Sequence, residues 1–397
     1  MKSARSTKNR IINFLRVMGP AWLVMIADVD VGSIITGIYS GSVFKYSMIF
    51  IELILIIPLF IIQDAAGRVS VATGKGIGEL IRENFSKKIA IGASFPMAIT
   101  DFLSYLAEYA GIAIGFEILG IPLLPAIIAV FFLHITVVVF KKYTTLEKIM
   151  LFISAIFIVF IIIIGILPGI NLNLIFIKGL TPFQPYGNHE FTYLVIANIG
   201  AVIMPWMLFF QAGAAAEKGL EIKDIKHERL ETLIGAIISE LLMVGLVIFG
   251  INFNGLQFTR SSTIEALNKF SPYILTAFGI TLIIAGFFAL IIISMGSAWG
   301  VIESIGMDRK SKETTYIYMI ESIPAVIVVL FFKMSLSFIL DLMVIFVFVL
   351  LIPAVLLGII IGNNTIMNGY AYKRWELYLY WITVITVVLA GTMGMFI

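Results

Sequence analysis

Two aspartates, Asp28 and Asp30, stand in the stretch IADVDVGSIITG (26–37) with no lysine or arginine within five residues on either side. The stretch lies inside an apolar segment long enough to cross a bilayer, where inserting each carboxylate costs roughly 2.5–3.5 kcal/mol. Groups retained at that cost bind a cation, carry a proton, or are satisfied by the backbone of an interrupted helix. On an unbroken helix the two side chains would point about 200° apart. Unwinding lets both line one path, and that is the arrangement expected here, with Asp28 adding charge or a proton beside Asp30. The alternative is that Asp28 faces a neighbouring helix and hydrogen-bonds there. A second apolar segment is interrupted by AVIMPW (201–206). In a third, Glu108 follows Asp101 by two helical turns, which puts both on one face. Such a pair can relay protons or be a structural hydrogen-bonded pair.

The elements that must hold these residues are membrane helices. The chain of 397 residues is 60% hydrophobic and 13% charged, with a mean hydropathy of +1.06. A soluble domain averages nearer half apolar and a quarter charged. Apolar segments fall at about 14–40, 46–66, 90–118, 122–140, 149–168, 191–212, 231–251, 273–303, 316–333, 336–361 and 376–396, predicting eleven spans. With the N-terminus inside, 22 of the 27 basic residues fall on inside segments. The outside keeps Lys45, Lys178, Arg260, Lys269 and Lys333, so the positive-inside rule supports this count and orientation. The basic start MKSARSTKNR leads into a full-length span without a small-residue cleavage site and reads as retained, not as a signal peptide.

Several classes drop out. There is no cysteine, so disulfides and thiolate metal sites are excluded. TGKG (73–76) lacks phosphate-loop spacing. The charge run EKGLEIKDIKHERLE reads as a cytosolic loop with a solvated helical turn. No nucleophile–base constellation lies in the spans, so an enzyme is not expected, and nothing points to nucleic acid. His134 reads as structural, and His189 and His227 as solvated. Glu52, Glu117, Glu240, Glu303, Glu321 and Asp341 sit at helix ends or face the bundle interior.

The predicted orientation makes segments 1–5 and 6–10 run in opposite senses, as inverted repeats. The chain then reads as one transmembrane domain, 1–397, with repeats at about 14–168 and 191–361 and an extra helix at about 376–396. The two interruptions fall in the first segment of each repeat, the placement that marks a secondary transporter's binding site. A proline kink in one and a flexible glycine in the other is the plainer alternative.

At these residues the chain resembles the natural resistance-associated macrophage protein (Nramp) family of divalent metal transporters. The likeness runs through GPAWLVMIADVDVGSIITGIYSGSVFKYS, GRVSVATGKGIGELIREN, LAEYAGIAIG and GAVIMP, in order. It implies an all-α polytopic membrane protein with a LeuT-type inverted repeat. Carried over by position, Asp30 falls on the metal-binding aspartate, Ser33 on an asparagine ligand, Met204 on the thioether ligand, and Ala27 and Ala201 on backbone-carbonyl ligands. Glu108 falls on a glutamate implicated in proton movement. Val31 replaces the motif's proline, and Asp28 an apolar residue or tyrosine. Tyr105, Trp206 and Gln211 replace ionisable groups, and no arginine occurs between Lys312 and Lys333. These departures leave the metal site recognisable and thin out the proton route to Asp101 and Glu108.

The resemblance implies import of Mn²⁺ or Fe²⁺ by alternating access, with protons as a candidate coupled ion. The expected setting is the lipid bilayer of the cell membrane, multi-pass, N-terminus cytoplasmic and C-terminus outside. The metal is substrate, so no cofactor is expected; the oligomeric state is left open. A related-fold Mg²⁺ carrier, a Na⁺- or H⁺-coupled organic solute transporter and a non-transporting sensor are the alternatives. A thioether at 204 disfavours Mg²⁺, unless Met204, one of 17 methionines, is core filling.

Overall fold

The computed structural model describes residues 16–140, 142–166, 169–253, 265, 272–331 and 336–394, which form helices and connections with no strand among them. Of the basic residues counted above, Lys2, Arg5, Lys8, Arg10, Lys141, Arg260, Lys269 and Lys333 lie outside the described residues. The first apolar segment is split into α1 (Pro20–Ala27) and α2 (Val31–Phe44), bent by 50° at the break. Then come α3 (Ser47–Thr73), a short α4 (Ile77–Asn84), α5 (Lys87–Ile118), α6 (Leu123–Phe140) and α7 (Tyr143–Ile166). The second half repeats the pattern. A split pair, α8 (His189–Val202) and α9 (Pro205–Lys218), is followed by α10 (Ile225–Gly250), α11 (Pro272–Ile305), α12 (Lys312–Phe331) and α13 (Leu336–Gly362), with α14 (Arg374–Gly394) added. Each of the eleven apolar segments is thus a helix or a helix pair. Among the described residues nine helices have the length and hydropathy of a span, counting α8 and α9 together; the bent α1–α2 pair makes a tenth. Leu123–Val139 is a shorter apolar helix.

Two stretches depart from the sequence expectation. The polar connection after α3 contains α4, whose Ile77, Leu80 and Ile81 are buried on one side. Gly74, at φ 72°, stops α3 there, so TGKG is a helix stop. The expected cytosolic loop at 217–231 is largely helical, and Glu228 and Glu231 are fully buried instead of solvated. The reason is partnership. Glu231 Oε1 accepts from Gly19 N at 2.6 Å and Trp22 N at 2.8 Å, satisfying the open N-terminus of α1. Glu228 accepts from Gln211 at 2.7 Å. The same end carries the ion pairs Lys218–Glu147 at 2.5 Å, Arg229–Glu376 at 2.7 Å and Arg16–Asp224.

The split helices pack crosswise: α1 lies on α9 and α2 on α8, as two pairs of opposite sense require. α10 wraps α3, α2 and α1, and α11 lies along α5. Small residues set these distances, as in membrane bundles generally. A methyl at Gly41 would sit 2.1 Å from the Val247 carbonyl oxygen, and one at Gly250 2.2 Å from that of Ile38, so α2 and α10 touch backbone to backbone. At Gly111 on α5 a methyl would meet Val31 at 2.4 Å, seating α5 against the first break. Large apolar side chains such as Phe132, Phe152 and Ile320 point outward.

Candidate functional site at the paired helix breaks

The two breaks arise from different local chemistry. In the second, Ala201 is in the last turn of α8, and the residue four positions on is Pro205, which has no N–H to return to the Ala201 carbonyl. That carbonyl accepts instead from Ser33 Oγ at 3.2 Å, across the bundle from the first break. In the first, the residue four positions beyond Ala27 is Val31. Its N–H, which a continuous helix would give to the Ala27 carbonyl, is donated to Glu108 Oε2 at 3.2 Å. Glu108 of α5 therefore holds the break open from outside. One carbonyl is released by a proline and the other by a glutamate.

Asp30 then caps α2: its backbone is extended and Oδ1 accepts from Ser33 N at 2.7 Å. It is buried, and its carboxyl lies beside that of Glu108. Asp30, Ser33, the Ala201 carbonyl, the Ala27 carbonyl and Glu108 thus gather around the paired breaks. Among the described residues no three carboxylates or imidazoles converge on one point. A cation here would rest on one carboxylate plus carbonyl, hydroxyl and thioether donors.

Two expected members are less directly placed. The Met204 sulfur, at the N-cap of α9, accepts from Trp206 Nε1 at 3.4 Å, and Met207 Sδ accepts from Met204 N at 3.3 Å. Asp28 Oδ2 accepts from Ser239 Oγ of α10 at 3.2 Å, the neighbouring-helix contact, while Oδ1 has no hydrogen-bond partner. It faces Glu52 of α3 and Glu240 of α10, whose carboxyl oxygens are likewise buried without partners.

Asp101 and Glu108 share the interior side of α5 but turn to different neighbours. Asp101 faces Ser297 of α11 and Glu321 of α12. There Tyr105 Oη donates to Glu321 Oε2 at 2.9 Å, and Ser297 Oγ to Glu321 Oε1 at 2.9 Å. Ser294 Oγ lies 2.9 Å from Tyr105 Oη and 2.8 Å from His134 Nε2, and His134 Nδ1 lies 3.1 Å from Tyr109 Oη. The structural reading of His134 fits this buried network. Tyr105, at the position where the resemblance implies a carboxylate, thus hydrogen-bonds a carboxylate supplied by α12. No spacing rule links residues 105 and 321, and only the packing of α12 on α5 reveals it.

A family model described as natural resistance-associated macrophage protein-like matches residues 21–396. The divalent metal cation transporter MntH of Yersinia pestis (strain Pestoides F) is 26% identical over 288 residues, covering 68% of this chain and 69% of that protein. MntH of Bacillus subtilis (strain 168) is 28% identical over 294 residues, covering 68% and 67%. Among solved structures, an Eremococcus coleocola manganese transporter superposes with a TM-score of 0.80 at 18% identity, over 96% of this chain and 86% of that one. Mhp1, a nucleobase-cation-symport-1 family transporter in a closed conformation, gives 0.53 at 15% identity, over 95% and 92%. The likeness establishes the architecture: a multi-pass membrane protein of the LeuT-type fold.

Proposed function

This chain belongs to the natural resistance-associated macrophage protein (Nramp) family, and from that premise we propose that it carries divalent transition-metal ions, Mn²⁺ or Fe²⁺, into the cytoplasm by alternating access. The observation that carries this reading is the pair of released carbonyls at Ala27 and Ala201, with Asp30 and Ser33 between them. A dehydrated divalent ion needs several oxygen donors and at least one anionic charge, and this arrangement offers both. Asp30 is the principal ligand; the Ala27 and Ala201 carbonyls, Ser33 and the Met204 thioether complete the set, with Asp28 adding negative charge nearby. The thioether favours borderline and soft ions over Mg²⁺. An organic anion would meet the carboxylates of Asp30 and Glu108 at the breaks, with Asp28 nearby, which argues against that substrate.

The inside-facing end is taken as the one bearing Arg16, Lys218, Arg229 and Arg309, by the positive-inside rule. A doubly charged ion moving inward then gains about 4.6 kcal/mol per 100 mV of inside-negative potential. Proton co-movement is small. Glu108, beside Asp30, and Asp101, on the α12 side, are its remaining carriers, and among the described residues no hydrogen bond joins Glu108 to the Tyr105–Glu321 network. The test is uptake into proteoliposomes with a panel of metals and internal pH recorded. Saturable Mn²⁺ accumulation supports the reading, and none for any divalent metal in an active, oriented preparation overturns it.

A further inference from the structure

Beyond the ligands assigned above, one side chain reaches the first break from a helix that no sequence motif connects to it. Met343 of α13 is buried, and it is docked by two glycines, one at each break. A methyl on Gly200, the residue before Ala201, would sit 1.7 Å from the Met343 carbonyl oxygen. A methyl on Gly32, between Asp30 and Ser33, would sit 2.7 Å from Met343 Cε and 3.3 Å from Met343 Sδ. The same Gly32 point is 3.3 Å from Asp30 Oδ1. Met343 Sδ and Asp30 Oδ1 are therefore separated by no more than the sum of two van der Waals contacts. One cation bound to an oxygen at about 2.2 Å and a sulfur at about 2.3 Å holds those atoms within about 4.5 Å of each other, a span this geometry allows.

The Met204 and Met207 sulfurs each already accept a hydrogen bond from within their own helix turn. Among the described residues no donor reaches the Met343 sulfur. A thioether buried without a donor, beside the Asp30 carboxylate of a cation path, is free to offer its lone pair to that cation.

We propose that Met343 is a second thioether ligand, on the α13 side of Asp30, and that it sets the protein's preference for soft divalent ions. This rests on the site proposed above. With Met204 on one side and Met343 on the other, the site offers two sulfurs, both from the second repeat, and its selectivity shifts towards Cd²⁺ and away from Mg²⁺ and Ca²⁺. The glycines at 32 and 200 are then the spacing devices that let α13 approach both breaks at once.

The experiment is calorimetric titration of the purified protein with Cd²⁺, Mn²⁺ and Mg²⁺, alongside ¹¹³Cd NMR of the Cd²⁺-loaded protein. The variants are Met343→Leu, Met204→Leu and Asp30→Asn. Methionine-to-leucine exchange conserves volume, so folding is retained, and thermal unfolding checks it. Met343→Leu is expected to weaken Cd²⁺ about tenfold, the low end of losses at metal sites, with Mn²⁺ nearly unaffected and the ¹¹³Cd resonance moved upfield by loss of sulfur. If Cd²⁺ and Mn²⁺ affinities and the resonance are unchanged, or both ions weaken equally without a resonance shift, Met343 is packing and the proposal is wrong. Asp30→Asn separates the two readings. Full affinity for every ion in that variant overturns the site and Met343's role together. A lost affinity there with an unaltered Met343→Leu overturns Met343 alone.

Discussion

Asp30 holds two jobs that substitution can pull apart. Its Oδ1 caps α2 through Ser33 N at 2.7 Å, and its charge is the anionic element of the proposed cation path. Asparagine caps a helix about as well as aspartate, whereas alanine loses about 1 kcal/mol of capping. The stability order should therefore be native, Asp30→Asn, then Asp30→Ala. Metal affinity should not follow that order. Removing one member of a buried, directly bonded charge pair costs about 2–5 kcal/mol. At 1.4 kcal/mol per factor of ten, that is between about 30-fold and a few thousand-fold in Kd. Both variants should lose it, because both lose the charge. The assays are Mn²⁺ calorimetry on detergent-purified protein, thermal unfolding of the same samples, and Mn²⁺ uptake in proteoliposomes. An Asp30→Asn protein that binds Mn²⁺ with native affinity would refute the ligand role, leaving Asp30 as a cap only.

Glu108→Gln keeps an acceptor for Val31 N and should retain most Mn²⁺ affinity, whereas Glu108→Leu frees that N–H to rebond to Ala27 and should weaken binding at least tenfold, or about 1.4 kcal/mol; equal behaviour of the two in calorimetry would contradict the account of the break. Asp28→Asn should lower metal affinity less than Asp30→Asn does, and native affinity would remove Asp28 from the metal path. In Gly200→Ala the new methyl meets the Met343 carbonyl, so α8 and α13 must part and the cost is about 1–3 kcal/mol; an unchanged unfolding temperature would show that this spacing is not required. Metal-driven acidification of proteoliposomes should be small, and robust stoichiometric acidification during Mn²⁺ uptake would show that a route past Tyr105 exists.

Much of this protein was legible before folding, because a bilayer imposes rules that are local in sequence. Runs of about 20 apolar residues give the spans, and the split pairs α1–α2 and α8–α9 fall within two of them. Pro205, which cannot donate to Ala201, marks one break from composition alone, and the aspartates mark the other. That Asp30 also caps α2 is a structural finding, made by its bond to Ser33 N. What the sequence could not state is which distant group completes each local deficit. Val31 is not a helix breaker, and its N–H is diverted only because Gly111 lets α5 bring Glu108 alongside. Glu228 and Glu231 read as part of a solvated charge run until the start of α1 and Gln211 are set against them. Glu321 and Met343 lie in helices with no marking motif, and packing alone delivers them to Tyr105 and to Gly32. Spans and breaks follow from solvent and backbone chemistry, which each segment carries within itself. Partners across the bundle follow from helix–helix contact, which no single segment encodes.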